Sequence, residues 1–140
     1  MSTDKIDDDR IVNPDDVEPG GFQQLVGYDI EDWGPGHAVL TVNLHDGHGN
    51  RHGYAHGGLL MTILDAACTR AGGVDAETGG IRRTATVSMT TNFVAPAKDC
   101  LLRAVGRKTG GGRRIFFAAA EVFDEDGNLI ASAVATCRYS

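Results

Sequence analysis

Apolar positions along the chain follow two periods and switch between them. In residues 28–44, "YDIEDWGPGHAVLTVNL", Val39, Thr41 and Asn43 alternate with Leu40, Val42 and Leu44, the period of two expected of a strand with one buried face. Gly34-Pro35-Gly36 divides that stretch into two strands. Residues 22–26, "FQQLV", predict a short leading helix, and residues 45–55 a loop rich in glycine and histidine. The pattern then changes: Leu59, Leu60, Met61, Ile63, Leu64, Ala66 and Ala67 occupy nearly every angle around a helix axis. This predicts a helix over 56–71, buried all round and ended by Gly72-Gly73.

Alternation by two then returns. In "TATVSMTTNFVAP" it sets Ala85, Val87, Met89, Thr91 and Phe93 on one face and Thr84, Thr86, Ser88, Thr90 and Asn92 on the other, with Pro96 closing the strand. "CLLRAVGRKT" and "RRIFFAAAEVF" read as a hairpin around Gly110-Gly111-Gly112, and "LIASAVATCRY" follows an Asp126-Gly127 turn. One helix of about four turns followed by four consecutive antiparallel strands is an α+β layout in which a sheet must cover the helix. No internal repeat is visible.

Composition sharpens this picture in three ways. A length of 140 residues suits one domain, expected over 21–140 behind an acidic tail at 1–20. The first 19 residues hold seven of the 19 acidic groups and no apolar run, so neither a secretory signal nor a membrane span fits there, and the tail is expected to be mobile or loosely docked. Cys68, Cys100 and Cys137 are odd in number, widely spaced and in no metal-ligand pattern, which predicts free thiols in a reducing cytoplasm.

A net charge of −6 argues against a nucleic-acid partner, but the charge is uneven. Between Arg82 and Arg114 lie eight basic residues against Asp99 alone, a local +7 that leaves −13 for the remainder. Such a patch suits a small polyanion, although strand ends and hairpin tips also collect solvated Lys and Arg.

Asp65 stands out because it interrupts the apolar helix. An unpartnered carboxylate there costs several kcal/mol, so the residue is either satisfied by a hydrogen bond or retained for chemistry. With Asn50, Gly53, His56-Gly57-Gly58, Leu64 and Asp65, then "TVSMTTNFVAPA" and "DEDGNLIASAVAT", residues 21–139 resemble the hotdog-fold thioesterases of the phenylacetate-degradation (PaaI-like) group. The resemblance implies one long central helix wrapped by a curved antiparallel sheet of five to six strands. It also implies a homodimer with one continuous sheet, the option of a dimer of dimers, and hydrolysis of an acyl-coenzyme A thioester without metal or bound cofactor.

In that reading Asp65 activates water or attacks the thioester carbonyl itself. Gly57 begins the helix, where an unpaired amide and the positive end of the dipole can bind an oxyanion. His56 caps the helix or orients the carbonyl, and Asn50 fixes the carbonyl or a water. Gly58 sits at the substrate-binding end, where a glycine permits close packing. Thr86 falls where the family places a Ser or Thr that helps hold the attacking water; it reaches the site only if its polar face looks toward a partner subunit. Contacts to the CoA phosphates are expected from among Arg82, Arg83, Arg107, Lys108, Arg113 and Arg114.

Three rivals bear on these residues. His45, His48, His52 and His56 would align as metal ligands on a helix, but Gly47, Gly49 and Gly53 argue against a helix there. A hotdog protein that binds acyl-CoA without hydrolysing it, and an acyl-CoA hydratase or dehydratase, share the fold. Repressors of the first kind add a DNA-binding segment, which the acidic tail cannot supply, and the second uses a different His–carboxylate pattern. Gly57 and Asp65, eight residues apart, lie roughly 12 Å apart along the helix axis, so one aspartate cannot share a carbonyl with its own Gly57. A site composed from two chains is therefore expected, with Asp65 and Thr86 from one and Asn50, His56 and Gly57 from the other.

Overall fold

The computed structural model describes residues 14–140; most of the expected acidic tail lies outside them. Helix α1 (Gly21–Val26) leads into the strands β1 (Tyr28–Gly34) and β2 (His37–Asn43), then the long helix α2 (Gly57–Ala71). Four strands follow: β3 (Thr84–Phe93), β4 (Leu101–Gly111), β5 (Ile115–Phe123) and β6 (Leu129–Tyr139). All pair antiparallel in one sheet of order β1-β2-β4-β5-β6-β3, so β1 and β3 form its two ends. This is the hotdog fold, one long helix packed on a curved six-stranded sheet.

The division of side-chain size explains how helix and sheet fit. Ala104, Ala118, Ala120, Ala133 and Ala135 line the helix-facing side of the central strands, while Leu60, Ile63 and Leu64 project from α2 into the space they leave. Small residues on the sheet let large ones on the helix interdigitate at crystal-like density. Helix and sheet approach closely at Gly106 of β4, where an added Cβ would stand 2.3 Å from the Ala67 carbonyl oxygen.

Two expectations from the periodicity need correction. First, α2 is not buried all round by its own chain. Its core face (Leu59, Leu60, Ile63, Leu64, Ala67, Cys68 and Ala71) is closed, but Met61 is 39% exposed and Gly58, Thr62, Asp65, Ala66, Thr69 and Arg70 are open or half-buried along one stripe. Second, the strict alternation assigned to β3 fails at a bulge between Thr86 and Ser88. Val87 is the extra residue, 56% exposed, and the faces swap across it. Thr84 and Thr86 pair with Tyr139 and Cys137, then Met89, Thr91 and Phe93 with Ala135, Ala133 and Ala131, all on the side turned to α2. Thr86 therefore faces its own helix and needs no partner subunit to reach it.

Candidate active site

Asp65 lies half-buried on the open stripe of α2, and the Thr86 hydroxyl donates a short hydrogen bond to its Oδ1. Among the described residues nothing donates to Oδ2, which leaves that oxygen to take a proton. Threonine is apt here because β3 holds its β-branched side chain in a restricted rotamer, and the bulge aims it at the helix. Further along the same face, Thr84 donates to the Thr69 carbonyl at 3.4 Å. Asp65 opens onto a cleft of about 320 Å³ lined by Val17, Tyr28, Trp33, Ala66, Thr69, Arg70, Ile81 and Arg82 among others.

Three of those walls, Trp33, Arg70 and Val17, carry no family motif. Trp33, the only tryptophan, donates its indole N–H to the Arg70 carbonyl at 2.8 Å, and the Arg70 guanidinium lies 4.7 Å from the indole ring. Val17 comes from the stretch assigned to the tail, where Pro14–Asp16 form a 3₁₀ turn and Pro19 accepts from Gln24 Nε2 at 2.9 Å. Arg70 in the last turn of an apolar helix and a lone tryptophan at a strand end were visible signals. Neither belongs to the motif or the periods that point to Asp65.

At the other end of α2, His56 takes the capping role: its Nδ1 accepts from the Gly58 amide at 2.8 Å, and its carbonyl receives the Leu59 and Leu60 amides. The neutral ring then carries its proton on Nε2. Gly57 follows with an amide that donates to nothing among the described residues, at the positive end of a 15-residue helix. Both glycines are closely packed: a Cβ at Gly57 would come 3.3 Å from the Phe93 ring, and one at the exposed Gly58 would come 3.0 Å from Nδ1 of the capping imidazole.

Asn50 is engaged locally. Its Oδ1 accepts from His52 N–H at 2.9 Å and Tyr54 N–H at 3.2 Å, which closes the loop before the helix. Its Nδ2 is the group left to reach a ligand. The His45 and His48 rings stack with centroids 3.8 Å apart; His48 is buried, donates from Nε2 to the Val26 carbonyl at 2.7 Å and accepts the His45 amide at Nδ1. Nε2 thereby fastens the loop to α1, while Nδ1 closes the loop on itself.

The basic residues separate into groups. Arg82, Lys108 and Arg113 line a cleft of about 780 Å³ together with Tyr139 and the carboxylates Asp75 and Glu77; the Arg82 guanidinium lies 3.7 Å and the Lys108 ammonium 5.9 Å from the Tyr139 ring. Arg114 joins Arg82 and Arg113 along a neighbouring groove. Arg107, one residue from Lys108, points to the opposite face of β4 and pairs with Glu121 at 3.2 Å. It does not join the cluster. Arg83 is exposed and lines neither of these clefts. Arg82 lines both the Asp65 cleft and the basic cleft, and so connects them.

With this geometry in place, the relatives are informative. The chain belongs to the thioesterase superfamily, whose family model matches residues 52–131. It is a thioester hydrolase of the PaaI-like hotdog type. A conserved protein of Pseudomonas aeruginosa is 27% identical at a TM-score of 0.78, with 87% of this chain and 95% of that one covered. A mutant of the phenylacetic acid degradation protein PaaI from Thermus thermophilus is 26% identical, TM-score 0.74, covering 85% and 98%. A hypothetical thioesterase of Streptococcus pneumoniae, solved with coenzyme A, is 25% identical, TM-score 0.69, covering 81% and 85%. No curated protein matches the chain. Among the described residues, no helix is long and apolar enough to cross a membrane.

Proposed function

We propose that the protein hydrolyses acyl-coenzyme A thioesters in a site shared between two copies of the chain, with Asp65 as the reacting carboxylate. One observation carries this reading: in an open cleft, Thr86 holds one oxygen of Asp65 and leaves the other unpartnered. A carboxylate so oriented can take a proton from water or attack the thioester carbonyl directly. The Gly57 amide, unpaired at a helix N-terminus, suits the oxyanion that develops as the carbonyl is attacked. The exposed stripe of α2 and the end strand β3 supply a surface on which a second copy can lie antiparallel, bringing its Gly57 to this Asp65. The nucleotide of coenzyme A, with its pyrophosphate and 3′-phosphate, suits the Arg82, Lys108 and Arg113 cleft.

The test is thiol release across a panel of aryl and aliphatic acyl-CoAs, with Asp65→Asn as the control. Asparagine is nearly isosteric, so the fold should hold while turnover falls by roughly two orders of magnitude or more. Binding without thiol release on every substrate would instead mark an acyl-CoA-binding protein, and near-normal turnover in Asp65→Asn would remove Asp65 from the mechanism.

A further inference from the structure

The Asp65 cleft shares walls with two neighbouring spaces. Arg82 connects it to the basic cleft that suits the coenzyme A nucleotide. Val17, Trp33 and Arg70 connect it to a second cavity of about 330 Å³, which reaches Gln23 and the carboxylates Asp29, Glu31 and Asp32. The second cavity nearly equals the Asp65 cleft in volume, and these three half-buried side chains stand between the two. A thioester whose nucleotide leaves past Arg82 has the Val17, Trp33 and Arg70 side left for its acyl group.

That partition is braced. The Trp33 indole N–H donates to the Arg70 carbonyl at 2.8 Å, which fixes the ring against the end of α2. The Arg70 guanidinium lies 4.7 Å from the same ring and donates to Gln23 Oε1 at 3.4 Å. Gln23 is buried, and its Nε2 donates to the Tyr28 carbonyl at 3.2 Å, so three side chains tie β1, α1 and α2 together. Stacking and hydrogen bonds restrict these rotamers, and the wall does not swing aside at low cost. The two sides of it differ in chemistry. Toward Asp65 stand Tyr28, Ala66 and Ile81, surfaces suited to an acyl chain. Beyond the wall, Glu31 is tied to Arg103 at 2.7 Å and Asp32 to His37 at 3.1 Å, and an apolar chain placed there would strip water from charged groups. Arg70 follows Asp65 by five residues, roughly 7.5 Å along the helix axis, so the wall stands a short acyl chain away from the carboxylate.

We propose that Trp33, backed by Arg70 and Val17, is the specificity-determining wall of the acyl site: it stops the acyl group shortly beyond the thioester carbonyl and restricts the enzyme to short acyl-coenzyme A substrates. The inference rests on Asp65 being the reacting carboxylate and on the nucleotide lying by Arg82, as proposed above.

The test is a chain-length series of butanoyl-, hexanoyl-, octanoyl- and decanoyl-CoA. Comparing kcat/KM for long and short substrates within each variant cancels any loss of folded protein. Wild type should favour the short members. Trp33→Ala joins the two spaces and should raise the decanoyl-to-butanoyl ratio about tenfold or more. Trp33→Phe keeps a ring in the wall and should stay close to wild type. Val17→Ala leaves every hydrogen bond of α2 in place and should move the ratio about threefold in the same direction. Leu25→Ala, on the exposed face of α1 and lining neither space, should not move it. A second measurement needs no turnover: S-butyl-CoA and S-decyl-CoA, thioethers that resist hydrolysis, should show the same change of preference in their dissociation constants. Ratios unchanged in both Trp33→Ala and Val17→Ala, or a wild type that takes decanoyl-CoA as readily as butanoyl-CoA, overturn the wall. A shift in Trp33→Phe as large as in Trp33→Ala traces the effect to the lost indole bond and overturns it too. Absence of thiol release from every substrate strikes the proposed hydrolysis, while the thioether affinities still decide the wall.

Discussion

At the scale of single residues, Thr86 and the two buried thiols make separable predictions. Thr86→Val keeps the shape of the side chain and deletes the hydroxyl that holds Asp65, so kcat should drop about tenfold to a hundredfold, the worth of a hydrogen bond to a charged group. Turnover within twofold of wild type would show that this bond is incidental. The thiols act on stability instead. Cys68 is pushed up to about 12 and Cys137 up to about 11 by burial, whereas in the unfolded chain both ionise near pH 9. Above that pH the unfolded state sheds protons that the folded state keeps, so stability is complete below pH 9 and falls as pH rises toward 11 or 12. Each thiol contributes a slope of about 1 kcal/mol per pH unit in that window. Urea midpoints from pH 8 to 11 should fall less steeply in Cys68→Ala than in wild type; parallel slopes would mean that the thiol ionises equally well when folded.

At the scale of elements, the helix and sheet meet backbone to backbone at Gly106, and the basic residues divide by strand face. Gly106→Ala forces a methyl group against the Ala67 carbonyl and should cost about 2–4 kcal/mol, read as a lower urea midpoint with an unchanged m-value. On β4, alternation separates neighbours. Neutralising Arg82 and Arg113 should raise KM for acyl-CoA more than for a pantetheine thioester that lacks the nucleotide, and added salt should shrink the difference. Neutralising Arg107, turned away and paired with Glu121, should change neither; a KM effect as large as that of Arg82 would show that the nucleotide lies across the other face. These cases also mark what was legible in the chain. Period-two alternation located β2 and β3, glycine-rich turns placed β1 and β4 to β6, and the capped apolar run located α2, because those patterns report which face meets the core and where the chain reverses. The bulge at Val87 left no trace, since Val87 is as apolar as the residues it displaces, and so Thr86 was assigned to the wrong face. Trp33, Arg70 and Val17 reach the Asp65 cleft through chain folding that joins β1 and the stretch before α1 to the far end of α2. No local period encodes that meeting.

At the scale of the whole molecule, the single chain separates its two most reactive features. The unpaired Gly57 amide and the Asp65 carboxylate lie on one straight helix, roughly 12 Å apart along its axis, which no aspartate side chain spans. Thr86 stays with Asp65 inside the chain, so the half-site that must come from elsewhere is the N-terminal one: Gly57, its cap His56, and Asn50 with its free Nδ2. A second copy lying antiparallel along the open stripe of α2 would supply all three, and its positive helix end would also favour an ionised Asp65. Subunit mixing then has a definite outcome. Asp65→Ala and Asn50→Ala homodimers should each be nearly inactive, yet a mixed dimer gathers both lesions into one site and leaves the other whole. Refolding the two variants together in equal amounts makes about half the dimers mixed, each with one intact site of two, so activity should recover to about a quarter of wild type per site. Verified mixed dimers that stay inactive would rule out the shared site and oblige Asp65 to work with donors of its own chain.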